Sequence, residues 1–128
     1  MRFMVIVKAD KRTEAGVLPT QKDIDAMGKF NEALIKAGVL LDAAGLQPSS
    51  KGARIAFKGD KPTVTDGPFA ETKEVIAGYW ILQVKSKEEA IEWALRVPFD
   101  HLPNADRVPE LEIRQLFEPS DFADSAGS

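Results

Sequence analysis

The densest run of chemistry-bearing side chains is Asp66-Gly67-Pro68-Phe69-Ala70-Glu71-Thr72-Lys73-Glu74. Asp66, Glu71, Thr72, Lys73 and Glu74 crowd more polar groups into this span than a turn needs. Glu71, Lys73 and Glu74 have the types of an acid, a cation and a base, provided that their surroundings hold the carboxyl pKa values apart. The opposing reading is a self-capping turn with a solvated Glu/Lys cluster behind it. Gly67 tolerates unusual φ, Pro68 fixes its own near about −65°, and Asp66 can accept backbone N–H bonds while Phe69 enters the core.

Outside this run the best single titratable group is His101, the chain's one histidine, with Asp100 beside it and Asp106-Arg107 shortly after. An unperturbed imidazole titrates near about 6.5 and could serve as a base; the plain alternative is an exposed loop histidine. The catalytic candidates are therefore Asp66, His101 and Glu74. The ligand-binding candidates are Asp66, Glu71, Thr72, Lys73 and Glu74, joined by Tyr79 and Arg54. Tyr79 and Trp80 are adjacent and face opposite sides of one strand. One belongs to a helix-covered core, and the other could hold a small apolar ligand in a cavity. Arg54 and Arg114 could add a cation there, or stand solvated.

Several chemistries lack their residues. With one His and no Cys, only a carboxylate site for a hard cation is open, and no loop has EF-hand spacing, so no metal is expected. The glycines form no phosphate loop, and no cofactor is expected. Ser49-Ser50 has no base nearby in sequence, which leaves a serine nucleophile unsupported. Without cysteine, disulfide and thiolate chemistry are excluded. Lys and Arg total 17 against 20 Asp and Glu, for a formal charge of −3, and neither sign is clustered. Nucleic acid is therefore not an expected partner. No stretch approaches the roughly 20 apolar residues of a membrane span, and the apolar run after Met1 is too short for a signal peptide. A soluble, cytoplasmic protein is expected.

The elements that would position these groups can be read from periodicity. At 128 residues, 44% hydrophobic and 29% charged, the chain suits one globular domain. Residues 1–118 are assigned to it, and 119–128 to a flexible tail. Arg2 to Ala9 reads as a strand and Asp10 to Pro19 as a loop. Thr20 and Asp23 cap a helix that carries Ile24, Met27, Leu34 and Ile35 and ends at Gly38. Gly28 inside it costs about 1 kcal/mol relative to Ala, which close approach to a neighbouring element would explain. Val39 to Ala44 is a strand. Ala53 to Lys58 and Thr63 to Thr65 form a hairpin about Gly59-Asp60. Ala77 to Val84 is the strongest strand. Ser86-Lys87-Glu88-Glu89 is a capping box opening a second helix that Val97-Pro98 stops. A long loop leads to a last strand, Leu111 to Phe117.

This order is close to a split βαβ, the ferredoxin-like α+β arrangement with two main helices on one face of an antiparallel sheet. The first strand and the Ala77–Val84 strand are apolar on both sides, whereas a half-solvated sheet should alternate. Met4 and Ile6 therefore need a second cover, and a second copy of the chain is the economical one. A homodimer with sheets face to face is expected.

Thr65 to Glu74, followed by Gly78-Tyr79, resembles the signature of YCII-related proteins of the DGPF type. Gly38-Val39, Gly45-Leu46-Gln47-Pro48 and the closing Glu112 to Glu118 stretch are similar to the same pattern. The resemblance spans nearly the whole chain and implies a dimeric α+β barrel of two ferredoxin-like sheets. The broader YCII group is associated with a buried His–Asp pair whose His lies in the first helix. No His stands between Thr20 and Ala37 here, a departure that removes that chemistry.

Two functional readings remain open, with a third in which the dimer binds nothing. One is a small-molecule binder or enzyme with its pocket at the dimer cleft beside the Asp66–Glu74 loop. The other is a regulatory or protein-interaction module using an exposed apolar patch, for which Phe99, Leu102 and Phe122 are candidates.

Overall fold

The computed structural model describes residues 1–99 and 108–123, the Lys73 side chain excepted. Strand β1 (Arg2–Lys8) buries Phe3 and Val5 and leaves Met4 and Ile6 partly exposed on its other face. The segment expected as a plain loop holds a short helix, α1 (Lys11–Glu14). Asp10 and Thr13 create it reciprocally, each side chain accepting the other's backbone N–H at 2.9 Å. Helix α2 (Gln21–Lys36) has the same device in Thr20 and Asp23. Gly38 follows it at φ 73°, a left-handed position that strains any residue with a Cβ.

Strands β2 (Leu40–Gly45), β3 (Ala53–Lys58), β4 (Lys61–Asp66) and β5 (Ile76–Gln83) come next, then helix α3 (Lys87–Ala94) and strand β6 (Leu111–Gln115). The capping box expected at α3 is half made. Ser86 Oγ accepts the Glu89 N–H at 3.1 Å, but the Glu89 carboxylate takes the N–H of Lys85, one residue earlier than the motif requires.

Four strands form an antiparallel sheet in the order β2-β5-β1-β6. Strands β1 and β2 are both antiparallel to β5, so they run parallel with β5 inserted between them. This is the split βαβ, and the fold is ferredoxin-like α+β. Phe3, Val5, Trp80 and Leu82 point from the sheet into one core with Phe30 and Leu34 of α2 and Ala90 and Ala94 of α3. Both main helices therefore cover the same face. Phe30 meets Trp80 edge-on at 5.5 Å, the geometry that the ring quadrupoles favour.

The opposite face carries Met4, Ile6, Tyr79 and Ile81, rimmed by charge. Lys8 pairs with Glu112 at 3.2 Å, Arg114 with Glu112 at 3.2 Å, and the Tyr79 hydroxyl donates to Asp42 at 3.1 Å. In the single chain this sheet is open and no barrel closes. Strands β3 and β4 form a separate two-stranded hairpin whose residues are exposed on both faces, Phe57 at 80% and Val64 at 63%. After β6, Phe117 and Phe122 stack at 5.0 Å across a short 3-10 turn, and Glu118 returns to Arg2 at 2.9 Å. Among the described residues no helix is long and apolar enough to cross a membrane.

Candidate functional site

The Asp66–Phe69 segment leaves the hairpin and crosses the turn Ser49–Lys51, a single 3-10 turn opened by Pro48. Its first anchor is backbone: the Gly67 N–H donates to the Gly52 carbonyl at 3.0 Å. Gly67 lies so close to Ser49 that an added Cβ would overlap the Ser49 carbonyl. Glycine is therefore required here by contact rather than by φ. The Gly67–Pro68 peptide bond is cis.

The second anchor is a polar relay. The Phe69 N–H donates to Ser49 Oγ at 3.0 Å, and that hydroxyl in turn donates to Glu14 Oε2 in a short hydrogen bond. The other Glu14 oxygen, Oε1, accepts the Ser49 backbone N–H at 2.9 Å. Ser49 is the one buried polar residue among those described; the relay matches its hydroxyl and its N–H, and its carbonyl accepts the Gly52 N–H at 2.9 Å. Satisfaction of this kind is what buried hydroxyls require. The carboxylate that sequence reading could not find beside Ser49 arrives from α1, 35 positions earlier.

The third anchor is aromatic. The Arg54 guanidinium lies over the Phe69 ring at 3.9 Å and reaches Glu71 at 3.6 Å. Phe69 thus stays half-buried beneath Arg54 and outside the core cluster, which corrects the expectation that it enters the core. The Asx-type role foreseen for Asp66 falls to Ser49: among the described residues no backbone amide bonds the Asp66 carboxylate, which stands exposed at the end of β4.

These anchors shape a cleft of about 370 Å³, lined by Gln47, Ser49, Lys51, Arg54, Phe69 and Glu74 with apolar neighbours from β5. Of the sequence-derived candidates, Arg54 and Glu74 meet in it. Glu71 borders it through Arg54, and Thr72 opens the following 3-10 turn. Tyr79 is not brought here, because its hydroxyl lies on the far face of the sheet with Asp42. That bond and the Asp42 charge raise the Tyr79 pKa above its usual 10.0. Arg114 sits on the same far face beside Glu112. His101 and its neighbours Asp100, Asp106 and Arg107, together with Leu102 and the side chain of Lys73, lie outside the described residues. Phe99 packs against the core, and Phe122 is half exposed on Phe117. Among the described residues no three His, Asp or Glu side chains gather as a metal site.

The sequence of residues 1–114, most of the chain, matches the YCII-related domain. The chain belongs to the YCII-related domain family. A curated relative of this domain, an uncharacterized protein of Rhizobium meliloti (strain 1021), is 37% identical over 60 residues, 47% of this chain and 48% of that protein. The matched segment thus spans about half of the relative's length. Within this YCII-related domain, sequence reading missed Glu14 and considered Ser49 only as an unsupported nucleophile. Only Ser49 had a local signal, its place after Pro48, because the partner that gives it meaning is distant in sequence.

Proposed function

We propose that this YCII-related domain, of the DGPF type by its Asp66–Glu74 run, binds a small molecule carrying an acidic group in the cleft beneath Phe69, and works as a homodimer in the cytoplasm. The observation that carries the reading is the cleft itself. About 370 Å³ of space is bounded by Lys51, Arg54 and Glu74 and held open by the Glu14–Ser49–Phe69 relay. Its volume falls in the range of small-ligand sites, roughly 300–1,000 Å³. Lys51 and Arg54 are the cations of the lining, set against Glu74 in it and Glu71 at its border. An acidic ligand would compete with Glu71 for Arg54, whose guanidinium is already braced on an aromatic ring and loses little freedom on meeting a carboxylate. In this reading Asp66, Glu71 and Thr72 border the cleft, with Glu74 as the acidic residue of its lining.

The homodimer is supported by apolar surface without a partner in the single chain: Met4, Ile6 and Ile81 on the outer sheet face, and Ile55, Phe57 and Val64 on the hairpin. A two-stranded hairpin exposed on both faces is marginal by itself, and cover from a second copy answers that.

A thermal-shift screen of small carboxylic acids tests the binding reading, since linkage raises Tm only for compounds that bind the native state. At least one acid should raise Tm, and Arg54→Ala should remove the shift while leaving the unliganded Tm within a few degrees. A shift that survives Arg54→Ala would place the ligand elsewhere.

A further inference from the structure

On the helix-covered side of the sheet lies a second space. A cavity of about 300 Å³ opens between α2 and the ends of β2 and β5, where Ala43, Gly45 and Gly78 leave the sheet surface low. A neighbouring chamber of about 450 Å³ runs along α2 past Ile24, Met27 and Gly28 to Pro98 and Phe99. Met27 and Asn31 line both. Two details of this space bear on what could occupy it. Gly28 occupies the middle of α2, where glycine weakens a helix, yet a Cβ built there meets no described residue within 4 Å. Among the described residues the close packing expected from the sequence is absent. A side chain at this position would project into the chamber that Gly28 lines.

Asn31 is the other detail. The indole N–H of buried Trp80 donates to Asn31 Oδ1 at 2.8 Å. An indole N–H can only donate, so the bond fixes which amide atom faces Trp80. The carbonyl is committed, and the NH₂ is left as the polar group facing the cavities. It bonds no other described residue. Asp23 is the chamber's other polar lining residue, at the start of α2. A donor so held in a mostly apolar space selects an acceptor oxygen, and a ligand without one leaves it unpaired.

We infer that this space is a second binding site, distinct from the cleft beneath Phe69, for a small, largely apolar, uncharged molecule whose carbonyl oxygen accepts a hydrogen bond from Asn31 Nδ2. Trp80 is the positioning residue that orients the amide, and Gly28 sets the room available.

The test uses a matched pair of probes, acetophenone and ethylbenzene, which differ in the carbonyl oxygen, titrated into the full chain and followed by ¹H–¹⁵N spectra. The Asn31 side-chain amide resonances are assigned by their loss in Asn31→Leu. Acetophenone should shift them and bind at least about tenfold more tightly than ethylbenzene, the factor one hydrogen bond supplies. Because Asn31→Leu also strips Trp80 of its acceptor, a second variant guards against simple misfolding. Gly28→Leu adds a helix-favouring side chain into open space, so it should keep or raise Tm and still abolish the acetophenone shifts. Arg54→Ala, in the other cleft, should leave them unchanged. Equal binding of the two probes, absence of acetophenone binding at millimolar concentration, or binding that persists in a folded Gly28→Leu protein would each overturn the proposal.

Discussion

Glu14 holds Ser49 at both ends, accepting its backbone N–H on one carboxylate oxygen and its hydroxyl on the other. The same hydroxyl accepts the Phe69 N–H, so a carboxylate in the first short helix governs the position of a loop more than fifty residues later. A fork that occupies both oxygens leaves Ser49 little freedom, and the loop inherits that rigidity.

Ser49→Ala removes the acceptor of the Phe69 N–H and the hydroxyl donor of Glu14 together. Stability should fall by about 1–3 kcal/mol, the cost of leaving partly buried polar groups unpaired. Urea denaturation measures the loss, and hydrogen exchange at the Phe69 amide localises it. An unchanged exchange rate there would mean that the relay does not hold the loop.

Gly67→Ala tests the backbone contact separately. Its Cβ would overlap the Ser49 carbonyl, and because both partners are main chain neither can swing aside. We expect a loss of about 1–3 kcal/mol, as in other overpacked sites. Gly45→Ala is the control, since its Cβ would meet no described residue within 4 Å. Equal effects from the two substitutions would refute the steric account.

Acid should weaken the fold through two ion pairs. The Arg2 guanidinium holds the Glu118 carboxyl below its ordinary 4.5, and Lys8, with Arg114 behind it, does the same for Glu112. A carboxyl depressed in the folded chain binds fewer protons there than in the unfolded chain. Its contribution is therefore present above 4.5 and is lost as pH falls through the depressed folded value. The urea midpoint should drop between about pH 5 and pH 3, and Glu112→Gln/Glu118→Gln should drop less. Both pairs are partly exposed, so 1 M salt should narrow the difference between the two proteins. Parallel pH profiles at low salt would exclude these pairs as the cause.

Ile6→Glu places a carboxylate in the middle of the outer sheet face, opposite Tyr79 on β5 and Glu112 on β6. Light scattering should find the parent chain dimeric and the variant monomeric, with unchanged far-ultraviolet circular dichroism. A variant that remains dimeric would move the interface away from this face, and a monomeric parent would remove the dimer altogether.

Much of the fold was legible from local pattern. The Thr20/Asp23 cap, the left-handed Gly38, the two-residue hairpin turn at Gly59-Asp60 and the alternation of Trp80 and Leu82 with Tyr79 and Ile81 are all encoded within a few residues of where they act. Element order then restricts the sheet to few topologies. Which of Tyr79 and Trp80 enters the core was open in the sequence, because both are large aromatics and strand periodicity assigns alternation without direction. Packing decided it, with Phe30 and Asn31 on α2 receiving the Trp80 ring and its N–H.

The sites divide along the same line. The sequence by itself determined the family, the element order and the polar run from Asp66 to Glu74, since each depends on residues contiguous in the chain. Tertiary structure decided what that run does. It exposed Asp66, set Phe69 beneath Arg54 and gave Ser49 the carboxylate of Glu14. It also left Gly28 without a described neighbour where close contact had been expected. Hydrogen bonds and cavities depend on distances in space, and a chain that brings residue 14 to residue 49 carries no local mark of having done so.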